Sequence, residues 1–366
     1  MIELQSICEY LSSYKFGHMA KSPNGTLMNE HVPRILSWNT TNRCNLKCGH
    51  CYMDAKETEG KNELSTEEGK DLIDQIAAVS KCILVLSGGE PLMRADIFEL
   101  AEHGKSKGLR VVMGTNGTLI TEEVAERIVA SGISRVAISL DGCENSVHDG
   151  LRKVKGSFDA AVAGTKACLK AGLPFQINTT VITQNYDKIP SLIKFAKDLG
   201  AVESHLFFLV QTGRGSSLAD ITPVEYESML QGVLPLEQEI GIHVKPTCAP
   251  MYMRISKQNG GDSTKRYSRG CLAGITYCRI NPEGGVYPCP YLPVEVGNVR
   301  EKDFGDIWRD SPLFHNLRDY SRLEGKCGRC GFKDVCGGCR ARAYANDGNI
   351  LSQDPMCPYR PTEVTE

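Results

Sequence analysis

From residue 35 to about residue 210 the chain alternates short β-branched runs with amphipathic helical stretches, six times over. That alternation restricts the fold to an α/β class of parallel strands joined by helical crossovers. The strand candidates are Ile35–Thr40, Cys82–Ser87, Leu109–Gly114, Arg135–Leu140, Pro174–Val181 and His205–Val210. Between the first two, Ser65-Thr66-Glu67-Glu68 places an N-cap serine three residues before a glutamate, a capping box that opens a helix running to about Val79. Further helices are expected over 94–107, 121–131, 156–171 and 187–199. Six such units suit either an open doubly wound sheet or a partial (β/α) barrel, and periodicity does not separate the two. In both, ligands bind at the C-terminal ends of the strands. Those ends carry Asn42-Arg43-Cys44, Gly88-Gly89-Glu90-Pro91, Thr115-Asn116-Gly117-Thr118 and Asp141-Gly142.

After a probable helix at about 222–240 the pattern dissolves, and from Lys245 onward Gly, Pro, Cys and Arg dominate. The chain therefore divides into an N-terminal extension (1–34), a larger domain (35–245) and a smaller cysteine-rich one (246–366). The last is too poor in periodic apolar residues to fold on burial alone, so metal ligation is expected to supply free energy. Lys and Arg number 42 against 44 Asp and Glu, which leaves no basic excess for nucleic acid or an anionic membrane. A small molecule or a peptide is the expected partner. No segment approaches the roughly 18 apolar residues of a membrane helix, and acidic and polar residues interrupt the opening MIELQSICEYLSSYKFG. A cytoplasmic protein is expected.

The chain holds sixteen cysteines, unevenly placed. In a long chain with no signal peptide, ligation is a better reading than disulfides. Cys44, Cys48 and Cys51 form a CxxxCxxC group. A zinc site normally takes four protein ligands, and His50, wedged between two of the cysteines, is poorly placed to be the fourth. A cubane cluster accepts three thiolates and leaves one iron open for chemistry. Eight more cysteines crowd the last hundred residues: Cys271, Cys278, Cys289, Cys327, Cys330, Cys336, Cys339 and Cys357. Eight thiolates equal two four-cysteine sites, although the two CxxC pairs alone would also suit a zinc ribbon. Cys8, Cys82, Cys143, Cys168 and Cys248 stand alone and are expected to be small buried side chains. Cys248 fits that least, lying between prolines in Lys245-Pro246-Thr247-Cys248-Ala249-Pro250.

Three cysteines at this spacing after the first strand make residues 35–210 resemble the radical S-adenosylmethionine (SAM) superfamily. The resemblance implies a partial (β/α)6 TIM-like barrel, a catalytic [4Fe-4S] cluster on Cys44, Cys48 and Cys51, and SAM on its open iron. Tyr52 would then lie near the adenine. Gly88, Gly89 and Glu90 match the motif that receives the methionine amino group, and Ser139 and Arg152 match positions that grip the ribose and the methionine carboxylate. Asn178 is a further candidate in the same pocket. The C-terminal spacing, with Gly284 five residues before Cys289, resembles the SPASM extension. It implies one auxiliary cluster on Cys271, Cys278, Cys289 and Cys339 and a second on Cys327, Cys330, Cys336 and Cys357. This chain has two residues between its last CxxC pair where many SPASM members have three. Fully ligated auxiliary clusters would transfer electrons and would not bind substrate.

The stretches His205–Gly215, Pro246–Pro250, Gly270–Gly274 and Val335–Arg342 resemble the branch of that superfamily acting on porphyrin precursors in the alternative haem pathway. That implies an oxidoreductase that decarboxylates the propionates of Fe-coproporphyrin III, fed by an external one-electron donor. Relatives that remove acetate groups from a sirohaem derivative or modify peptides are the nearest rivals. A non-catalytic iron-sulfur or zinc protein is the rival from another class, and the open three-cysteine site argues against it. A substrate with several carboxylates calls for arginines, and Arg214, Arg340 and Arg342 are the candidates. His205 is expected to be structural.

Overall fold

The computed structural model describes residues 31–58, 60–261 and 269–361. Cys8 and all but the last four residues of the N-terminal extension lie outside them. Seven parallel strands follow one another in chain order: β1 (Ile35–Asn39), β2 (Ile83–Ser87), β3 (Arg110–Thr115), β4 (Val136–Ser139), β5 (Phe175–Val181), β6 (Glu203–Phe208) and β7 (His243–Thr247). The order never reverses, which decides between the two expected architectures. Right-handed crossovers between strands laid down in sequence put every helix on one face, so the sheet curls into a partial barrel. It stays open. Beyond β1, on the other side from β2, β8 (Tyr277–Ile280) runs parallel to β1, and β9 (Gly285–Tyr287) and β10 (Gly297–Asn298) continue antiparallel.

The helices that cover the outer face are α1 (Thr66–Val79), α2 (Ile97–Ser106), α3 (Glu122–Ala130), α4 (Asn145–Arg152), α5 (Ser157–Lys170), α6 (Ile189–Asp198) and α7 (Pro223–Ile240). The capping box holds: Ser65 Oγ accepts from the Glu68 N–H at 3.2 Å, and the Glu68 carboxylate accepts from the Ser65 N–H at 2.8 Å. The later chain adds α8 (Met251–Gln258), α9 (Phe304–Asp310), α10 (Pro312–Arg318), α11 (Gly325–Gly328) and α12 (Arg340–Asp347). The change of composition near residue 245 brings no break in the sheet, because β8 hydrogen-bonds along β1. The described residues from Pro33 onward form one compact unit.

Two elements were invisible to periodicity. β7 reads His243-Val244-Lys245-Pro246-Thr247, with one apolar residue and a proline, which an edge strand tolerates and a central one does not. β8 to β10 are two to four residues long, too short to show a period.

Strand alternation sorts the sheet into two unlike faces. Leu36, Trp38, Leu84, Leu86, Val111, Met113, Val136, Ile138, Phe175, Ile177, Leu206 and Phe208 are all buried beneath the helices. The concave face carries Asn39, Ser87, Gly114, Ser139, Asn178, His205 and Lys245, and the register aligns Ser139 with Asn178, Asn178 with His205, and His205 with Lys245. A polar interior of this kind is suited to a ligand. His205 is held between Glu203 and Gln176, both at 2.9 Å, and burial pushes it down to about 4, so it stays neutral in the folded protein.

Helix α1 lies so close to β1 that a Cβ on Gly69 would sit 2.6 Å from Trp38 Cη2 and 3.0 Å from Leu100 Cδ2. Gly69→Ala gains up to about 1 kcal/mol of helix propensity but overpacks a rigid indole, at about 1–3 kcal/mol. Net destabilisation of about 1–2 kcal/mol is expected in chemical denaturation; a more stable variant would show that the α1–β1 spacing is looser than described.

Candidate active site

The loop after β1 carries the first three cysteines and has little packing of its own. It is fastened by backbone bonds: Cys44 N–H to Lys56 O at 2.6 Å and Lys56 N–H to Asn42 O at 3.1 Å. The turn after β2 closes on it from the side, with Gly89 N–H donating to Thr41 O and Glu90 N–H to Arg43 O, both at 2.8 Å. A Cβ on Gly88, whose φ is +145°, would lie 2.7 Å from Thr41 O, and one on Gly89 would lie 2.3 Å from Arg43 O. The glycine pair is therefore required by the approach of two protein backbones.

Glu90 is fully buried, and its carboxylate accepts from Thr115 Oγ1 at 2.7 Å, the Asn116 N–H at 2.8 Å and the Leu92 N–H at 3.2 Å. Burial pushes it up to about 7 against the pull of those three donors. The carboxylate ties the end of β2 to the end of β3.

From the far side, the chain after β6 braces the same loop. Arg214, an expected substrate contact, instead donates through Nε to Cys48 O at 2.9 Å and through Nη1 to Asp54 Oδ1 at 2.7 Å and Ala55 O at 3.1 Å. Its own N–H reaches Cys51 O at 3.0 Å. Gly213, at φ +54°, fits where a Cβ would lie 2.6 Å from Cys51 O.

Arg152 closes α4 and is buried with its guanidinium between Asp141, at 2.6–2.7 Å, and Cys48 Sγ, 3.7 Å from Nη1. This internal pair holds the guanidinium beside the cysteine loop. Burial raises the Cys48 thiol, and the nearby guanidinium opposes it. Ser139 and Asn178 lie side by side on the concave face, where the Asn178 side-chain oxygen accepts from Gln176 at 3.0 Å. Tyr52 follows Cys51, and its hydroxyl accepts from Asn39 Nδ2 at 2.9 Å.

The three thiols fit a cluster better than a single ion. They interact electrostatically with one another, yet among the described residues no three His, Cys, Asp or Glu side chains are gathered closely enough for one metal ion. A cubane asks for less convergence, because each thiolate meets a different iron. Between Cys48 and Cys51, the buried His50 Nδ1 has no hydrogen-bond partner. A buried polar atom without a partner is rare in a folded chain and suits a site completed by a cofactor.

The second cysteine group corrects one expected ligand. Cys278 lies on β8 at 0% exposure and points to the helix side of the sheet, in the main apolar core with Cys82. Its thiol interacts with that of Cys82 and with none of the cysteines expected to share its cluster. Strand parity explains this: Tyr277 and Arg279 face the concave side, so Cys278 faces away. Cys248, held in the left-handed region at φ +57°, packs in one apolar cluster with Cys289 and Cys339, and its thiol interacts electrostatically with both and with Cys271. The other four expected ligands, Cys327, Cys330, Cys336 and Cys357, line one cavity together with Arg254, Lys326 and Lys333.

Arg340 and Arg342 are also corrected. Arg340 donates to Ile350 O at 2.9 Å and Ser352 O at 2.7 Å, and reaches Cys327 Sγ at 3.8 Å. Arg342 pairs with the fully buried Asp354 at 3.2 Å and donates to the Tyr226 hydroxyl at 2.9 Å. Asp354 also accepts from the Cys339 N–H at 2.7 Å, and its own N–H lies 3.4 Å from Cys327 Sγ. Both arginines thus fasten the two four-thiol groups together. One arginine that sequence reasoning missed, Arg279 on β8, does face an open cavity. Its signal was the alternation of Tyr277 and Arg279 on the strand, which was too short to be recognised.

Comparison with known proteins agrees with this geometry. The Radical SAM superfamily model matches residues 38–196, and the SPASM iron-sulfur cluster-binding domain matches residues 271–331. The AdoMet-dependent heme synthase of Methanosarcina barkeri is 45% identical, over 90% of this chain and 98% of that protein. The AdoMet-dependent heme synthase of Nitratidesulfovibrio vulgaris is 41% identical, over 91% and 94%. Among solved structures, Streptococcus suis SuiB bound to S-adenosylmethionine superposes with a TM-score of 0.74 over 97% of this chain and 82% of that one. At 19% identity, that likeness concerns the fold alone.

Iron counting after anaerobic reconstitution tests the corrected ligand set. Cys248→Ala is expected to lower iron by roughly four per chain, one cubane, and Cys278→Ala to leave it unchanged. The opposite pattern would return Cys278 to the set.

Proposed function

The chain belongs to the radical SAM superfamily, and on that premise we propose that it converts Fe-coproporphyrin III to haem b by oxidative decarboxylation of two propionates. The observation that supports this most is identity of 45% and 41% to two heme synthases along nearly their whole length. In this reading Cys44, Cys48 and Cys51 hold the catalytic cluster. Cys248, Cys271, Cys289 and Cys339 hold one auxiliary cluster, and Cys327, Cys330, Cys336 and Cys357 hold the other.

When bound, the catalytic cluster and SAM supply a 5′-deoxyadenosyl radical from one injected electron, with methionine as the other product. The chain's own residues fix where that happens. Gly89, Glu90 and Arg214 hold the cysteine loop at the mouth of the barrel, and Arg152 places positive charge beside Cys48. Ser139 and Asn178 lie side by side on the concave face; in this reading Ser139 and Arg152 grip the cofactor's ribose and methionine carboxylate, and Asn178 lines the same pocket. At the substrate, a propionate β-carbon gives a hydrogen atom to the 5′ carbon, its carboxylate leaves as carbon dioxide, and a vinyl group forms. One electron is released per propionate, equal to the one injected, and iron-sulfur clusters held by the auxiliary cysteines would take it up. An external one-electron donor supplies the injected electron.

We place this chemistry in the cytoplasm, where thiols stay reduced. All fifteen cysteines among the described residues are free, and none of the described helices is long and apolar enough to cross a membrane.

Anaerobic protein given reductant, SAM and Fe-coproporphyrin III should yield haem b with one 5′-deoxyadenosine per propionate removed, and Cys48→Ala should abolish both products. SAM cleavage without a porphyrin product would move the substrate to a sirohaem derivative or a peptide.

A further inference from the structure

A cavity of about 430 Å³ opens between the Cys51–Tyr52 turn and the Cys289–Tyr291 turn. It is within the size range of small-molecule sites. Its walls include Tyr52, Tyr287, Tyr291 and Tyr344, flat side chains suited to covering a planar macrocycle, and no acidic side chain lines it. Arg279 supplies its single positive charge. Its Nε donates to Asn39, and the guanidinium lies 5.4 Å from the Tyr52 ring centre and 5.0 Å from that of Tyr287. Held at one edge by Asn39 and flanked by two rings, the group has no described protein acceptor at its terminal nitrogens. That leaves a fork shaped for a carboxylate.

The position matters as much as the lining. Tyr52 is next to Cys51 of the three-thiol group. Tyr291 meets Tyr52 edge-on at 5.3 Å and packs in the same apolar cluster as Cys248, Cys289 and Cys339. A ligand here would touch both the side that generates the radical and the side that collects the electron.

We propose that this cavity is the substrate site and that Arg279 binds one propionate carboxylate of the macrocycle while the tyrosines cover its faces. The proposal rests on the haem-forming reading above and goes beyond it in naming the residues that select a flat, carboxylate-bearing ring.

The test is anaerobic titration of cluster-loaded protein with Fe-coproporphyrin III, read by the shift of its Soret band. Arg279→Ala should weaken binding by roughly 30-fold or more, the loss expected when a charge pair loses one partner, and Arg279→Lys should restore part of it. Ala345→Trp enters the cavity from an exposed position on α12 and should also weaken binding with iron content unchanged. It decides the question if Arg279→Ala loses iron. Unchanged binding in folded Arg279→Ala and in Ala345→Trp would overturn the site and leave the functional reading standing. If unaltered protein cleaves SAM but binds no Fe-coproporphyrin III, the functional reading fails, and this proposal with it.

Discussion

The contact between two backbones, the turn after β2 and the cysteine loop after β1, is what the rest of the site depends on. The loop holds three buried or half-buried thiols in a small cluster of its own with Leu46 and Ala55. It takes its shape from N–H groups donated by Gly89 and Glu90 to Thr41 and Arg43. Any side chain at residue 89 would collide with a carbonyl. The Glu90 carboxylate in turn fixes the donor turn to the end of β3 through two hydrogen bonds and closes the turn itself through a third, from Leu92, and leaving such buried donors unmet costs about 1–3 kcal/mol each. Arg214 completes the hold from β6. Strands β2, β3 and β6 thus position one loop, and the barrel supplies the geometry that the loop lacks.

The two faces of the sheet explain how a stable barrel can also present a polar interior. Alternate residues place Leu, Ile, Val and Phe under the helices, where burial contributes about 1.5–3 kcal/mol for each large side chain. The other parity mixes small apolar residues such as Val85, Val112 and Ala137 with Asn39, Ser87, Ser139, Asn178 and Arg279 at the strand ends. The same rule extends through β8, because that strand pairs with β1 in parallel. It turns Arg279 toward the cavity and Cys278 into the core. The cysteine-rich region is therefore an extension of the sheet as well as a cluster-binding segment, and its thiols are brought close to Tyr52 by that shared sheet.

Much of this was legible in the amino-acid order. Every strand of the first six lies within two residues of its expected bounds, since β-branched runs and crossover helices are local patterns. The three-cysteine group, the glycine pair and the Cys327, Cys330, Cys336 and Cys357 set were found from spacing or from resemblance. Internal partners of charged residues were not legible in the sequence. Arg152, Arg214, Arg340 and Arg342 looked like ligand contacts because their acceptors, Asp141, Cys48 O, Ile350 O and Asp354, are set by folding.

The sequence by itself determined the α/β class, the superfamily and the kind of metal chemistry, because periodicity and short-range cysteine spacing survive without any knowledge of distant contacts. Only the tertiary structure decided which thiols meet. Cys278 stands seven residues from Cys271 and turns away from it on a strand, whereas Cys248, left apart in the sequence, arrives beside Cys271, Cys289 and Cys339. The reason is strand parity: a one-residue difference along β8 sends a side chain to the opposite face of the sheet, and no spacing rule records which face that is.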